Sequence, residues 1–306
     1  VAVKLSIIIP TYRRSEILLE CLRRIERQTV VSELEVIVVS DGHDDKTSAL
    51  FGGGSHAQER RSWKMPLRFI EIEKSHQGVA RNEGVKHARG DYVLFIGDDA
   101  FLEPDACGVH LKMHRILADS NWQLASLARE PRAASQQTVL GFTTWDPDVG
   151  ITPVMRWLEK SGWQFGYPSI ARHAGKEIPS TIQHRYSYTI HLSLPLSLAK
   201  KYPFRTDVHL YGWEDIEWGM RLRDGGVRLF YEPRARVLHH HHLTLEDSLQ
   251  RINTLGRAAV EMQKIVPGFD RVPSGMKLFL YKIAALLPTM TGKHRRAFLE
   301  GILAIR

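Results

Sequence analysis

Residues 91–105 read DYVLFIGDDAFLEPD. Tyr92 to Ile96 is a short run of large apolar and aromatic residues, the composition of a strand buried on both faces. Gly97 then hands the chain to two adjacent carboxylates, Asp98 and Asp99. Like charges side by side repel, and burying either without a partner is costly. The pair therefore either caps a helix or sits in a solvated turn, or it holds a cation.

Outward from this stretch, strand and helix signals alternate. Residues 5–10 (LSIIIP) and 34–42 (LEVIVVSDG) are continuous apolar runs that stop at Pro and at Asp-Gly, and 67–73 (LRFIEIE) alternates. Between them Leu18, Cys21, Leu22 and Ile25 recur at helical spacing in a helix opened near Ser15, and 78–90 reads as a helix ending at glycine. Residues 43–64 carry GGG among polar residues, which predicts a helix and then a mobile loop. Strands alternating with helices imply a Rossmann-like, mostly parallel α/β sheet with helices on both faces. Such sheets bind ligands at the carboxyl ends of their strands, where Thr11, Asp41, Asp98 and Asp99 all fall.

Beyond residue 105 the pattern loosens. Residues 106–118 read as a helix, 126–190 as an aromatic-rich region of turns, and 186–194 (YSYTIHLSL) as a strand. A helix is expected over 213–224, closed by Gly225-Gly226, then two short strands around a Glu-Pro turn in 227–242, and an amphipathic helix over 244–263. This divides the chain into a regularly alternating half (1–105), a less regular half of the same domain (106–242), and a helical, basic extension (243–306).

Composition narrows the function classes. Of the net charge of +8, +6 lies in the last 36 residues, where seven Lys or Arg face one acid, Glu300. The body is nearly neutral, which argues against a nucleic-acid partner. The stretch 276–290 (MKLFLYKIAALLPTM) is too short to span a bilayer, yet interleaves cations with Leu, Phe and Ile. It suits either peripheral contact with an anionic membrane or packing of Leu278, Leu280 and Ile283 on the body or a second subunit. Two cysteines, Cys21 and Cys107, give no disulfide framework, and the opening residues carry no signal-peptide pattern. The expected location is cytoplasmic, extending to the inner membrane face if the tail docks there.

Three constellations carry chemistry. Asp98-Asp99 is the first. Glu214, Asp215 and Glu217 are the second, flanked by Trp213 and Trp218, which can desolvate a carboxylate towards the proton affinity of a base. An acidic first helical turn is the plain alternative. The third is His239-His240-His241-His242, where a continuing strand would point 239 and 241 one way and 240 and 242 the other. Asp99 with one of these imidazoles would favour a borderline ion such as Mn²⁺. Neither GxGxxG nor a P-loop follows the first strand, so phosphates must be neutralised by a metal and basic side chains. The aspartate pair is thus expected to hold a divalent cation that grips a diphosphate.

These pieces together resemble the family 2 glycosyltransferases of the GT-A fold. The resemblance rests on SIIIPTYRR, LEVIVVSDGHDDKT, GVARNEGVKHARGDYVLFIGDDAFLEPD and YGWEDIEWGMRLRDGGVRLFYEPRARVLHHHH, in family order over roughly residues 4–260. It implies a sugar transferred from a nucleotide-diphosphate donor, UDP-linked by expectation, to a glycan, lipid-linked or small-molecule hydroxyl, with inversion. Pro10, Thr11 and Arg13 would line the nucleotide, Asp41 would meet the base, and Arg81 would lie by the nucleotide and diphosphate. Asp98 would face the ribose, Asp99 would bind Mn²⁺ or Mg²⁺, and His239, or His241 in its place, would be a further ligand. Asp215 would be the general base and Glu214 would hold an acceptor hydroxyl. Gly97 stands where a full Asp-x-Asp has its first acid, and Ser40 replaces one of two acids before Gly42. The rival readings are a sugar-nucleotide nucleotidyltransferase, whose glycine-rich basic first loop is absent, and a non-enzymatic basic binding module.

Overall fold

The computed structural model describes residues 2–52, 62–119, 136–208 and 211–305. Its first part is the expected alternation: β1 (Leu5–Thr11), α1 (Ser15–Glu26), β2 (Leu34–Asp41), α2 (Asp45–Ala49), β3 (Leu67–Ile72), α3 (Gln77–His87) and β4 (Tyr92–Ile96). The strands pair in parallel in the order β3-β2-β1-β4, with Leu5 opposite both Leu34 and Tyr92. Period-two alternation fills both faces. Ile7 and Ile9 join Leu18, Leu22 and Ile25 of α1, whereas Ile8 faces Ala80 and Val85 of α3. At Gly84 an added Cβ would lie 2.5 Å from Ile8, so only glycine lets α3 approach this closely. Most of the loop expected within 43–64 lies outside the described residues.

The second part extends the sheet. After β5 (Ala100–Leu102) and α4 (Ala106–Ala118) come β6 (Gln137–Trp145), α5 (Pro153–Ser161), α6 (Tyr167–Ile170), β7 (Lys176–Glu177), β8 (His191–Pro195) and α7 (Leu196–Lys201). Then follow α8 (Glu214–Asp224) and β9 (Arg228–His239). β8 runs antiparallel between β4 and β6, β9 lies parallel to β6, and β5 closes the path antiparallel to β9.

Three expectations are corrected. The strand expected over 186–194 is confined to His191–Pro195, because Gln183–Tyr186 coils into a 3₁₀ turn. The two strands expected in 227–242 are a single β9. Its register with β6 jumps from Gly141↔Glu232 to Phe142↔Arg236, so Pro233, which has no N–H to offer a ladder, sits in a bulge. The aromatic middle contains the nine-residue β6, and 126–135 lie outside the described residues.

Three helices complete the chain: α9 (Leu245–Ile265), α10 (Gly275–Ala285) and α11 (Met290–Leu303). α9 and α11 meet backbone to backbone. Added Cβ atoms at Gly256 and Gly301 would lie 2.3 Å and 2.0 Å from carbonyl oxygens of the opposite helix. α10 is different. Leu280 and Ile283, expected to pack if the tail folded onto the body, are exposed, together with Met276, Phe279, Leu286 and Leu287.

Candidate active site

The carboxyl ends of β1, β2 and β4 open onto a cavity of about 850 Å³. Pro10, Thr11, Asp41, Arg81, Asp98 and Asp99 all line it. Asp41 is buried, its Oδ2 accepting from Lys74 Nζ at 2.5 Å and its Oδ1 from the Ser75 amide at 2.7 Å. Arg13 does not line the cavity. Its φ of +55° turns it outward, where its guanidinium lies 5.0 Å from the Tyr12 ring centroid. The next residue, Arg14, points in instead.

Arg14 spans the aspartate pair, Nη1 donating to Asp98 Oδ1 at 2.7 Å and Nη2 to Asp99 Oδ2 at 2.9 Å. Thr11 Oγ1 donates to the other oxygen of Asp98 at 2.8 Å. Two imidazoles crowd the same Asp99 oxygen, His239 Nε2 at 3.3 Å and His241 Nδ1 at 3.5 Å. The β5–β9 ladder creates this meeting, because it sets Ala100 opposite His239 and so carries the histidine to the residue beside Ala100. Strand alternation separates the remaining two histidines. His240 pairs with Asp146 at 2.7 Å and His242 with the Val149 carbonyl at 2.9 Å.

Burial, with the charge of Asp99, drives the Asp98 carboxyl up to about 6 against Arg14 and Thr11. Burial also opposes ionisation of Asp99, but His239, His241 and Arg14 outweigh it and hold that carboxyl well below its usual range. The ligand atoms of Asp99, His239 and His241 lie within 4.8 Å of one another. One carboxylate oxygen with two imidazole nitrogens is a donor set suited to a borderline divalent ion. Gly97 makes room for the Asp99 carboxylate, since an added Cβ would lie 2.8 Å from Asp99 Oδ1.

The opposite wall begins with a strained turn. Gly212 has φ +107°, and Trp213, the residue before α8, has φ +73°. Its indole Nε1 donates to the Leu255 carbonyl at 2.8 Å, fixing the start of α8 against α9. Glu214 and Asp215 consequently face the cavity. Glu214 accepts from Gln77 Nε2, and Asp215 Oδ1 accepts from the Ile216 amide at 2.8 Å. Burial at the cavity floor, reinforced by Glu214, raises the Asp215 carboxyl to about 7 despite Arg81. Arg81 is itself 3% exposed, and its Nε and Nη1 have no hydrogen-bond partner. Glu217 turns away, closed by Arg221 at 2.7 and 3.0 Å. Of the three acids in this helical turn, two therefore reach the cavity.

Several lining residues carry no local sequence signal. Trp163, Phe165, Tyr186 and Tyr188 join the already noted Trp213 in lining the aromatic side, and Arg185, Arg251 and Arg271 add charge. Leu243, Arg251, Leu255 and Arg271 all come from the C-terminal extension, which sequence reasoning assigned only to a tail.

Comparison with known proteins agrees with this architecture. The family model of glycosyl transferase family 2 matches residues 6–119. Chondroitin synthase of Escherichia coli is 35% identical over 101 residues, 33% of this chain and 14% of that one. The matched segment spans only 28% and 27% of two Bacillus subtilis glycosyltransferases, EpsH and YfnE. Among solved structures, TarS of S. aureus in complex with UDP-GlcNAc shares the fold with a TM-score of 0.56 at 18% identity, over 92% of this chain and 70% of that one. A mannosyltransferase of Pyrobaculum calidifontis, in complex with GDP-Man and Mn²⁺, has a TM-score of 0.56 at 17% identity, over 99% and 76%. The sheet with its flanking helices is thus a GT-A fold, and over residues 6–119 the chain is similar to glycosyl transferase family 2.

Proposed function

We propose that the chain is a metal-dependent, inverting glycosyltransferase that moves a sugar from a UDP-linked donor to an acceptor hydroxyl. The observation that carries this reading is the single cavity in which Asp41, Asp98 and the Asp99–His239–His241 cluster face Glu214 and Asp215. The solved structures in complex with UDP-GlcNAc, or with GDP-Man and Mn²⁺, support the donor class. Asp41 would receive the base, Pro10 and Thr11 the nucleotide, and Asp98 the ribose. Asp99, His239 and His241 would hold Mn²⁺ or Mg²⁺, which when bound supplies positive charge to the leaving diphosphate. Asp215 would take the acceptor proton, and Glu214, fixed by Gln77, would orient the acceptor. The aromatic wall offers rings on which a sugar face can stack. Thermal shift with UDP-, GDP- and dTDP-sugars in the presence of Mn²⁺ tests the reading. A donor at 100 times its Kd adds about 2.7 kcal/mol, and no shift with any of them would defeat it.

The exposed face of α10 belongs to the same proposal. No described helix is long and apolar enough to cross a membrane. Yet Met276, Phe279, Leu280, Ile283 and Leu287 form one apolar stripe at helical spacing. Lys277, Lys282 and Lys293 are exposed around it, and no acid intervenes between Arg271 and Arg296. An apolar stripe rimmed by cations complements an anionic phospholipid surface. The enzyme would work on the cytoplasmic face of a membrane, held there by α10.

A further inference from the structure

The aromatic side of the cavity is bordered by cations that the donor does not account for. Arg185 and Arg271 grip one carboxylate between them. Arg185 Nη2 lies 3.0 Å from Asp270 Oδ2 and Arg271 Nε lies 3.5 Å from Asp270 Oδ1. Two guanidinium groups on one acid leave a positive charge in excess. Arg251 adds another, since its Nη1 donates to the neutral amide of Gln164.

Arg271 shows the imbalance most clearly. Its Nε and Nη2 are buried without a hydrogen-bond partner, while the side chain keeps 21% of its surface and lines the cavity. It lies 5.8 Å from the centroid of the Trp213 ring, the residue that sets the start of α8. Burial lowers its proton affinity, against the pull of Asp270 and, more weakly, of Asp215. A desolvated guanidinium with unfilled donors is costly, and an anion in the cavity is what would offset that cost.

We propose that the acceptor carries an anionic group, a phosphate or a carboxylate, seated on Arg271, Arg251 and Arg185 while its hydroxyl faces Asp215. The inference rests on reading the cavity as a glycosyltransferase site. The planar fork of arginine matches either anion through two parallel hydrogen bonds. The proposed donor contacts come from β1, β2, β4, the end of β9 and Arg81 of α3, whereas these arginines come from a 3₁₀ turn and the C-terminal extension. The anion seat also gives that extension a role in choosing the acceptor.

Calorimetric titration of the full chain, saturated with UDP and Mg²⁺, tests this with glycerol 3-phosphate, glycerate and glycerol as probes. At least one of the two anions should bind and glycerol should not, and the stronger anion identifies the group. Arg271→Gln and Arg251→Gln should each weaken the anion roughly tenfold, the worth of a charge-assisted hydrogen bond, with UDP affinity unchanged. Arg251→Gln, whose present hydrogen bond is to one neutral amide, keeps the test decisive if Arg271→Gln fails to fold. Equal binding of glycerol and the anions, or anion binding undiminished in the variants, overturns the proposal. So does a parallel loss of UDP affinity, which would assign the arginines to the donor diphosphate. A wild-type chain that binds no nucleotide would refute the transferase reading instead, and the same titration without UDP would still decide the anion site.

Discussion

Replacing Asp215 by Asn should stabilise the protein above pH 7 and disable it as a catalyst at the same time. Burial and the neighbouring Glu214 raise the folded carboxyl from 3.8 to about 7. The unfolded chain gives up this proton near its ordinary value. Between the two values the folded state therefore holds the extra proton, and stability falls as pH rises. The loss is complete above about 7. The full difference corresponds to roughly 4 kcal/mol, and solvent in the open cavity, where Asp215 is only half-buried, screens it to about 2. At pH 8 the Asn variant, which has no proton to lose, should melt roughly 4–8 °C higher. Below pH 4 the two proteins should melt together.

Thermal denaturation without metal or nucleotide, from pH 4 to 8, checks the first half of this. Product formation checks the second: kcat should fall roughly 10²–10⁴-fold while Mn²⁺ and donor affinity persist, because Asp41, Asp98 and Asp99 are untouched. In the wild type kcat should rise with pH through about 7 as Asp215 loses its proton. Glu214→Gln removes a like charge and should move that limb to lower pH, with its main effect on acceptor KM. Equal melting of the wild type and Asp215→Asn at pH 8 would refute the electrostatic argument. A fully active Asn variant, or a product with retained anomeric configuration, would remove Asp215 from the role of base.

Other perturbations test the remaining parts. Asp99→Asn should abolish activity and Mn²⁺ binding by calorimetry, and His239→Ala should weaken the ion more than His241→Ala, whose ring is 43% exposed; full activity in excess EDTA would contradict both. Arg14→Met strips the metal-free protein of the cation between two buried carboxylates, at a cost of roughly 3–5 kcal/mol. Its melting temperature should fall without metal and recover more than the wild type's on adding Mn²⁺. For α10, Phe279→Ser with Ile283→Ser should end sedimentation with anionic liposomes at low salt without changing the melting temperature; a wild-type chain that never sediments would hand the stripe to a protein partner.

The first half of the fold was legible because β1, β2 and β4 are buried on both faces. LSIIIP, LEVIVV and YVLFI have nothing else to be in an α/β chain, and their carboxyl ends pointed at Thr11, Asp41 and Asp98-Asp99 directly. β6 was not legible, because QTVLGFTTW mixes threonines and a glycine and gains its place only from β8 and β9 on either side. β9 misled for a local reason: Glu-Pro reads as a turn, and only pairing with β6 on both sides of the bulge makes one strand of it.

The site divides along the same line. A carboxylate at the end of a buried strand is visible locally, because its cost is local. Its partner is not, because the partner is chosen by the sheet. Arg14 is separated from Asp98 by 84 positions, and Gln77 from Glu214 by 137. The choice of Arg14 over Arg13 turned on one positive φ that neither residue type announces. The histidine run is the instructive intermediate case. Alternation alone separated His239 and His241 from their neighbours, but only the short β5, three residues long, brought them to Asp99. The side proposed for the donor is therefore readable from strand ends and periodicity. The side proposed for the acceptor depends on how α9 and the loop at Arg271 close over Trp213. Variants in the extension should accordingly change acceptor choice while leaving donor affinity alone.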